Sequence, residues 1–303
     1  MAFVEGQSTP LREISGADPD HPTTRAFLRE LRALGYVEGR NLILDRRSAE
    51  GHPERYAQIV DELLRLKPDV ITMPGMPSLV RLAKDAPNRV PTVVYSLVSP
   101  VKLGLVESLA RPGGNITGGT IDVGPEIEAK RLELLKEAIP TASRVVFLAP
   151  EGIPPPISAA VVEAAKSLGL ELVKVTHDPA SINPALAEIR LQRPDALFAS
   201  LSSATYGHRR EIVRFALDTR LPGSYPYAEM AAGGGLMSYG VDVEDLLRRG
   251  ARYVDKVLKG AKPADLPIEQ PTKFELIVNL KTARAIGVRI PPSILLRAHR
   301  VIE

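Results

Sequence analysis

Apolar residues in this chain follow two spacings in turn. Residues 24–34 carry Phe27, Leu28, Leu31 and Leu34 on one helical face, and residues 53–66 carry Tyr56, Ile59, Val60, Leu63 and Leu64 on another. Between such segments lie short, nearly continuous apolar runs at residues 70–73, 93–95, 145–148 and 196–199. Runs of that kind are expected of strands covered on both faces, and their alternation with helices predicts parallel sheets with helices on either side. The order of signals occurs twice. Leu34-Gly35, a strand at 41–46, a helix at about 53–66 and Lys67-Pro68-Asp69 lead into residues 70–73. Leu168-Gly169, a strand at 171–175, a helix at about 183–191 and Arg193-Pro194-Asp195 lead into residues 196–199. Gly takes the left-handed position that stops a helix and Pro cannot continue one, so the punctuation has the same physical cause in both copies. Two similar α/β halves imply a cleft between them as the place for function. Residues 111–115 (RPGGN) and the strand 116–118 that follows mark the boundary.

The length of 303 residues suits two domains, and 44% hydrophobic with 25% charged residues is an ordinary globular balance. Charges of both signs are interspersed and the formal net charge is +3, so no basic face for nucleic acid is written here. The absence of cysteine excludes disulfides, thiolate nucleophiles and zinc-thiolate sites. No apolar run is long enough to span a membrane, and residues 1–22 lack the basic-then-apolar order of a signal peptide. Residues 1–4 form the one candidate first strand. Residues 5–22 show no periodicity and are expected to be a long loop or a mobile lead-in. The 27 prolines fall mostly at element ends.

From Gly233 the chain reads GGGLMSYGVDVEDLLRRGARYVDKVLKGAKPADLPIEQPTKFELIVNLKTARAIGVRIP. That segment closely resembles the bacterial ABC transporter substrate-binding proteins of the tryptophan and tyrosine branch, which have the type I periplasmic binding fold. Residues 31–51 (LRALGYVEGRNLILDRRSAEG), 99–118 (SPVKLGLVESLARPGGNITG) and 130–140 (KRLELLKEAIP) follow the same pattern in order. The resemblance implies two doubly wound parallel-sheet lobes joined by a three-strand hinge. The first lobe would hold residues 1–118 and about 241–268, and the second 119–240 and about 269–303. A helix at 243–259 would return to the first lobe, and a strand at 274–279 with a helix at 281–286 would complete the second. It implies capture of a small carboxylate-bearing, aromatic solute, delivery to a membrane permease, a monomer, a periplasmic location, and lobes that close around the ligand. It implies no cofactor and no catalysis. The family's first strand with its small-residue ligand loop is replaced here by the weakly patterned residues 1–22.

Ligands of open parallel sheets bind beyond the carboxyl ends of strands, which selects four loops. They are residues 74–78, with Gly75, Met76 and Ser78; 96–100, with Ser96 and Ser99; 120–122, with Thr120 and Asp122; and 200–206, with Ser202 and Tyr206. Pro77 and Pro100 are each expected to open a helix that Ser78 or Ser99 either caps or leaves free for the ligand. Asp122 and Asp242 offer acceptors for a ligand ammonium, although Asp242 also stands where a helix cap belongs. Tyr206, Tyr225, Tyr227 and Tyr239 are half of the eight tyrosines and serve either an aromatic wall or ordinary packing. Gly113-Gly114 and residues 233–235 fit no dinucleotide motif, and no phosphate loop exists. The five histidines, His21, His52, His177, His208 and His299, lack metal spacing and are expected in solvated loops. Arg209-Arg210 reads as the exposed face of a helix. A ligand-sensing module of a regulator and an enzyme on a doubly wound fold are the alternatives, the latter without a nucleophile elbow.

Overall fold

The computed structural model describes residues 1–5, 10–50, 52–153, 155–178 and 181–303. The chain opens with β1 (Ala2–Glu5), α1 (Leu11–Ile14), α2 (Pro22–Ala33), β2 (Asp45–Ser48), α3 (Tyr56–Arg65), β3 (Ile71–Met73), α4 (Pro77–Asp85), β4 (Thr92–Leu97) and β5 (Ile116–Thr120). It continues with α5 (Glu126–Ala138), β6 (Arg144–Pro150), α6 (Pro155–Ser167), β7 (Glu171–His177), α7 (Asn183–Gln192), β8 (Ala196–Ala199), α8 (Ser203–Gly207) and α9 (Arg209–Asp218). Then come β9 (Gly223–Tyr225), α10 (Ala228–Ala232), β10 (Met237–Val241), α11 (Val243–Leu258), β11 (Phe274–Asn279), α12 (Leu280–Ile286), α13 (Pro292–Arg297) and β12 (Arg300–Ile302).

These elements form two units, Met1–Asp122 with Val243–Thr272 and Val123–Asp242 with Lys273–Glu303. The first unit holds a five-stranded sheet in the order β2-β1-β3-β4-β5, parallel throughout. Its apolar strand residues divide by parity between two cores. Ala2, Val4, Ile71, Met73 and Val94 pack against Ile59, Val60 and Leu63 of α3 and Leu79 and Val80 of α4. Phe3, Val93 and Tyr95 pack against Phe27, Leu28 and Leu31 of α2 and Leu247, Ala251 and Val254 of α11. A continuous apolar strand thus serves two alternating faces, each buried by helices, and each Val, Ile, Leu, Phe or Met side chain among them stabilises the unit by roughly 1.5–3 kcal/mol.

The second unit holds seven strands in the order β12-β11-β10-β9-β8-β6-β7, in which only β10 and β11 run antiparallel. Parity divides it in the same way. Val145, Phe147, Ala196 and Phe198 face Leu132 and Leu135 of α5, and Val146, Leu148 and Leu197 face Ile189 of α7 and Ile212 of α9.

The repeated punctuation has repeated geometry. Gly35 and Gly169 stop their helices at φ 95° and 64°, and the basic residues before Pro-Asp, Lys67 and Arg193, both adopt left-handed backbone at φ 48° and 47°. In the second copy the Asp195 carboxylate accepts from Ser143 N, Ser143 Oγ and Arg144 N at 2.8, 2.8 and 2.9 Å, which holds its pKa below the usual carboxylate range.

Three details differ from the sequence expectation. Leu42 makes an isolated bridge, and the strand expected at 41–46 forms later, where Asp45 to Ser48 pair with Ala2 to Glu5. The stretch 5–22, read as a loop, contains α1, whose Ile14 is fully buried, while the candidate first strand at 1–4 does form, as β1 inside the sheet between β2 and β3. A four-residue strand covered on both faces and paired on both edges leaves no alternation to read. Part of that stretch, residues 6–9, lies outside the described residues. The first passage between units falls at residue 122 rather than 118, because Gly119 bridges Glu269 and Thr120 N donates to Glu269 O at 2.9 Å, keeping the end of β5 in the first unit.

Candidate functional site

In the first unit the loops beyond β3, β4 and β5 are tied to one another. Gly75 N donates to Ser96 Oγ at 3.0 Å, and a Cβ on Gly75 would lie 1.8 Å from Ser96 O, so only glycine lets the β3 loop lie on the end of β4. Met76, the residue before α4, receives the Tyr56 hydroxyl on its sulfur at 3.0 Å. Thr120 Oγ1 donates to Leu97 O at 2.7 Å and accepts from Asp122 N at 2.9 Å, so this buried hydroxyl braces β5 against β4. Asp122 then accepts from Ser99 N at 2.6 Å. Burial pushes the half-buried Asp122 carboxyl up, and the hydrogen bond from the Ser99 amide only partly offsets this.

Of the two roles open to Ser78 and Ser99, helix cap or ligand contact, the cap does not form. No side chain caps α4, and Ser78 lies exposed at its second position. No helix follows Pro100. Ser99 has left-handed backbone at φ 45° and starts a turn in which Leu103 N donates to Ser99 O at 2.9 Å. The Asp122 carboxylate holds the Ser99 amide on the turn's strand side, and this long-range contact is invisible to local sequence rules.

In the second unit the loop beyond β8 rests on a buried ion pair. Glu128 and Arg131, one turn apart on α5, are each 2% exposed and bonded to one another. Glu128 also accepts from Leu201 N at 2.9 Å, while Arg131 donates to Ala199 O and lies 4.3 Å from the Phe198 ring centroid. Two charges on the core side of a helix need this closure, because neither has water to solvate it. Ser202 caps α8, accepting from Thr205 N at 3.0 Å and donating to Thr205 Oγ1 at 2.8 Å. Ser200 Oγ at 3.2 Å and His177 Nε2 at 3.4 Å reach the same threonine oxygen. His177 is 2% exposed, and burial pulls its imidazole pKa down. This corrects its expected place in a solvated loop, since it ends β7 beneath α8.

Tyr206 on α8 meets Tyr227 edge-on, with ring centroids 4.8 Å apart at 71°. The Tyr227 hydroxyl donates to Ser202 O at 3.0 Å, which draws the loops after β8 and β9 together. Burial pushes the Tyr227 phenol well above its usual range. Arg209 is half-buried, with its guanidinium 4.4 Å above the Tyr206 ring and Nη1 donating to Tyr206 O at 3.1 Å, so its expected place on an exposed helix face is corrected.

The structure therefore brings together Gly75, Met76, Ser96, Ser99, Thr120 and Asp122 in one unit and Ser202 and Tyr206 in the other. Tyr225 departs from a loop wall. It is fully buried in the core with Ile212, Val213 and Met230, wedged where a Cβ on Gly223 or Gly235 would stand 2.3 or 2.5 Å from its atoms. Tyr239 lies on β10 and stacks on Phe274 at 6.1 Å, and Asp242 N donates to Lys273 O at 3.1 Å beside two passages. Sequence reasoning missed Glu128, Arg131 and Thr205. The available signal was a Glu and an Arg three residues apart on the same side of α5 as Leu132 and Leu135.

Doubly wound, largely parallel sheets in two units, joined by three passages and carrying polar loops at their carboxyl edges, make a two-lobed α/β architecture of the kind that solute-binding proteins use. The chain belongs to the ABC transporter substrate binding protein family, whose model matches residues 18–302. It is similar to a tyrosine-binding protein of Clostridioides difficile, 24% identical over 277 residues that cover 89% of this chain and 79% of the relative. Among solved structures it resembles a Streptococcus pneumoniae ABC domain in complex with L-Trp, with a TM-score of 0.79, 23% identity and coverage of 99% and 98%. A conserved domain protein of Vibrio cholerae shares the fold equally well, with a TM-score of 0.79, 24% identity and coverage of 99% of both chains.

Replacing Arg131 by Met leaves Glu128 buried without a counter-charge and is expected to cost about 3–5 kcal/mol, whereas Glu128→Leu together with Arg131→Met recovers part of that stability, Ala199 O and Leu201 N then lacking their side-chain partners. Urea unfolding of the three proteins checks both expectations; a single variant as stable as the double one would contradict the pairing. Asp122→Asn keeps an oxygen for the Ser99 amide and removes the desolvated charge. The folded pKa of Asp122 is raised, so its contribution to stability is present at low pH and lost as pH rises through that pKa. Wild type should therefore gain stability relative to Asp122→Asn between about pH 7 and about pH 4. Paired denaturation midpoints that keep a constant gap over this interval would refute it.

Proposed function

We propose that this protein captures an aromatic, carboxylate-bearing solute, either an amino acid or an aromatic acid, and delivers it to an ABC permease. The observation that carries the reading is the Tyr206–Tyr227 pair on the loops after two adjacent parallel strands, β8 and β9, held at Ser202 by a hydrogen bond. Large rings with polar tips, fixed before the ligand arrives, suit a flat solute because little side-chain entropy remains to be lost. Solutes named for similar proteins, tyrosine and L-Trp, belong to this class.

Each unit offers candidate ligand loops at its own strand ends. Gly75, Met76, Ser96, Ser99 and Asp122 contribute from the first, and Ser202 and Tyr206 from the second. Thr120 acts from behind by fixing Asp122. Exposed Ser78, buried Tyr225, the sheet residue Tyr239 and Asp242 take no part in this reading. The protein works as a monomer on the periplasmic side of its membrane, and its cycle makes and breaks no bond.

A thermal-shift series tests the solute class. L-Trp, L-Tyr and 4-hydroxybenzoate at millimolar concentration should raise the melting temperature, and a ligand present at about 100 times its Kd adds about 2.7 kcal/mol of stability. A melting temperature that responds to sugars or polyamines and not to these compounds would overturn the reading.

A further inference from the structure

Tyr206 does not offer a free aromatic face on the side that Arg209 covers. The guanidinium lies 4.4 Å from the ring centroid and is pinned through Nη1 to Tyr206 O at 3.1 Å, while Tyr227 meets the same ring edge-on at 4.8 Å. What the loop after β8 presents there is a planar cation, already oriented. Among the described residues Arg209 forms no ion pair. The neighbouring carboxylate, Glu211, pairs instead with His208 at 3.5 Å. The other buried guanidinium of this region, Arg131, is committed to Glu128 and Ala199 O.

An arginine that is half-buried, stacked and without a carboxylate is a site short of one anion. Its planar fork matches a carboxylate in a two-pronged geometry, and holding it on an aromatic ring removes most of the entropy cost of fixing it. Tyrosine, tryptophan and hydroxybenzoic acids differ in their rings and in having an ammonium, but every one of them carries a carboxylate. We propose that Arg209 is the carboxylate-binding residue of the solute site, with Tyr206 as the platform that orients it. This rests on the reading of the second unit's carboxyl-edge loops as part of the solute site. In this arrangement the carboxylate docks on the outward N–H groups of Arg209, and the aromatic ring of the solute lies alongside the Tyr206–Tyr227 pair.

Calorimetric titration of the full chain with matched probes tests the assignment. L-Trp and tryptamine form one pair, 4-hydroxybenzoate and 4-methylphenol the other, each differing by the carboxylate. Arg209→Gln should weaken the two carboxylates roughly 10- to 100-fold and leave the decarboxylated partners within about twofold, with Arg209→Lys intermediate because it keeps charge and loses the fork. If wild type binds the carboxylates and Arg209→Gln binds them equally well, the assignment of Arg209 is wrong while the solute class stands. Equal weakening of both members of each pair shows a packing role and also overturns it. If wild type binds none of the carboxylates, the solute class fails and the assignment with it. A folded Arg209→Lys protein keeps the comparison decisive should the Gln variant unfold.

Discussion

The second unit depends on a pair of charges that water does not reach. Glu128 and Arg131 sit on α5 among leucines, and each satisfies the other. Further hydrogen bonds of the pair reach Ala199 O and Leu201 N, at and just beyond the carboxyl end of β8, while Arg131 Nε has no hydrogen-bond partner among the described residues. A buried ion pair contributes little net stability over apolar residues of equal volume, but it is unforgiving of a lost partner. Its value here is positional. By fixing residues 199–201 it fixes where α8 starts, and through Ser202 and Tyr227 it fixes the tyrosine pair that the solute is proposed to meet.

The first unit solves the same problem without a salt bridge. Thr120 and Asp122 lace the ends of β4 and β5 together, and the glycine at position 75 lets the β3 loop rest on Ser96. Apart from the bond between Asp122 N and Thr120 Oγ1, these hydrogen bonds join residues far apart in sequence. The common principle is that parallel strands leave unpaired groups at their carboxyl ends, and whatever satisfies those groups shapes the binding surface.

The architecture was legible because its causes are local. Helix stops at Gly35 and Gly169 and the basic-Pro-Asp steps at Lys67 and Arg193 repeat in sequence, and they repeat in dihedral angle as well. The resemblance extended this to family membership, which the match over residues 18–302 bears out. The candidate site was legible only as a choice of loops. The rule that selects loops at strand ends led to Ser96, Asp122, Ser202 and Tyr206, yet it could not tell Tyr206, beside Arg209, from Tyr225, which turns into the core between two glycines. Tyr225 ends a strand that is buried along its whole length, whereas Tyr206 lies on α8. Neither Ser78 nor Ser99 caps a helix: Ser78 lies inside α4, past the cap position, and at Ser99 a tertiary contact from Asp122 to the amide accompanies a turn instead of a helix. The Glu128–Arg131 pair was missed because charged residues on an amphipathic helix are ordinarily assigned to its wet face.

The central claim is the chemical class of the solute. Equilibrium dialysis of the protein against an equimolar mixture of L-Trp, 4-hydroxybenzoate, leucine and glucose, followed by mass analysis of what the protein retains, tests it most directly. The chain contains no tryptophan, so retained L-Trp can also be followed by its own fluorescence. The account predicts that one or both aromatic carboxylates are concentrated on the protein side and that leucine and glucose are not. Retention of leucine or glucose, with both aromatic compounds equal across the membrane, would contradict it.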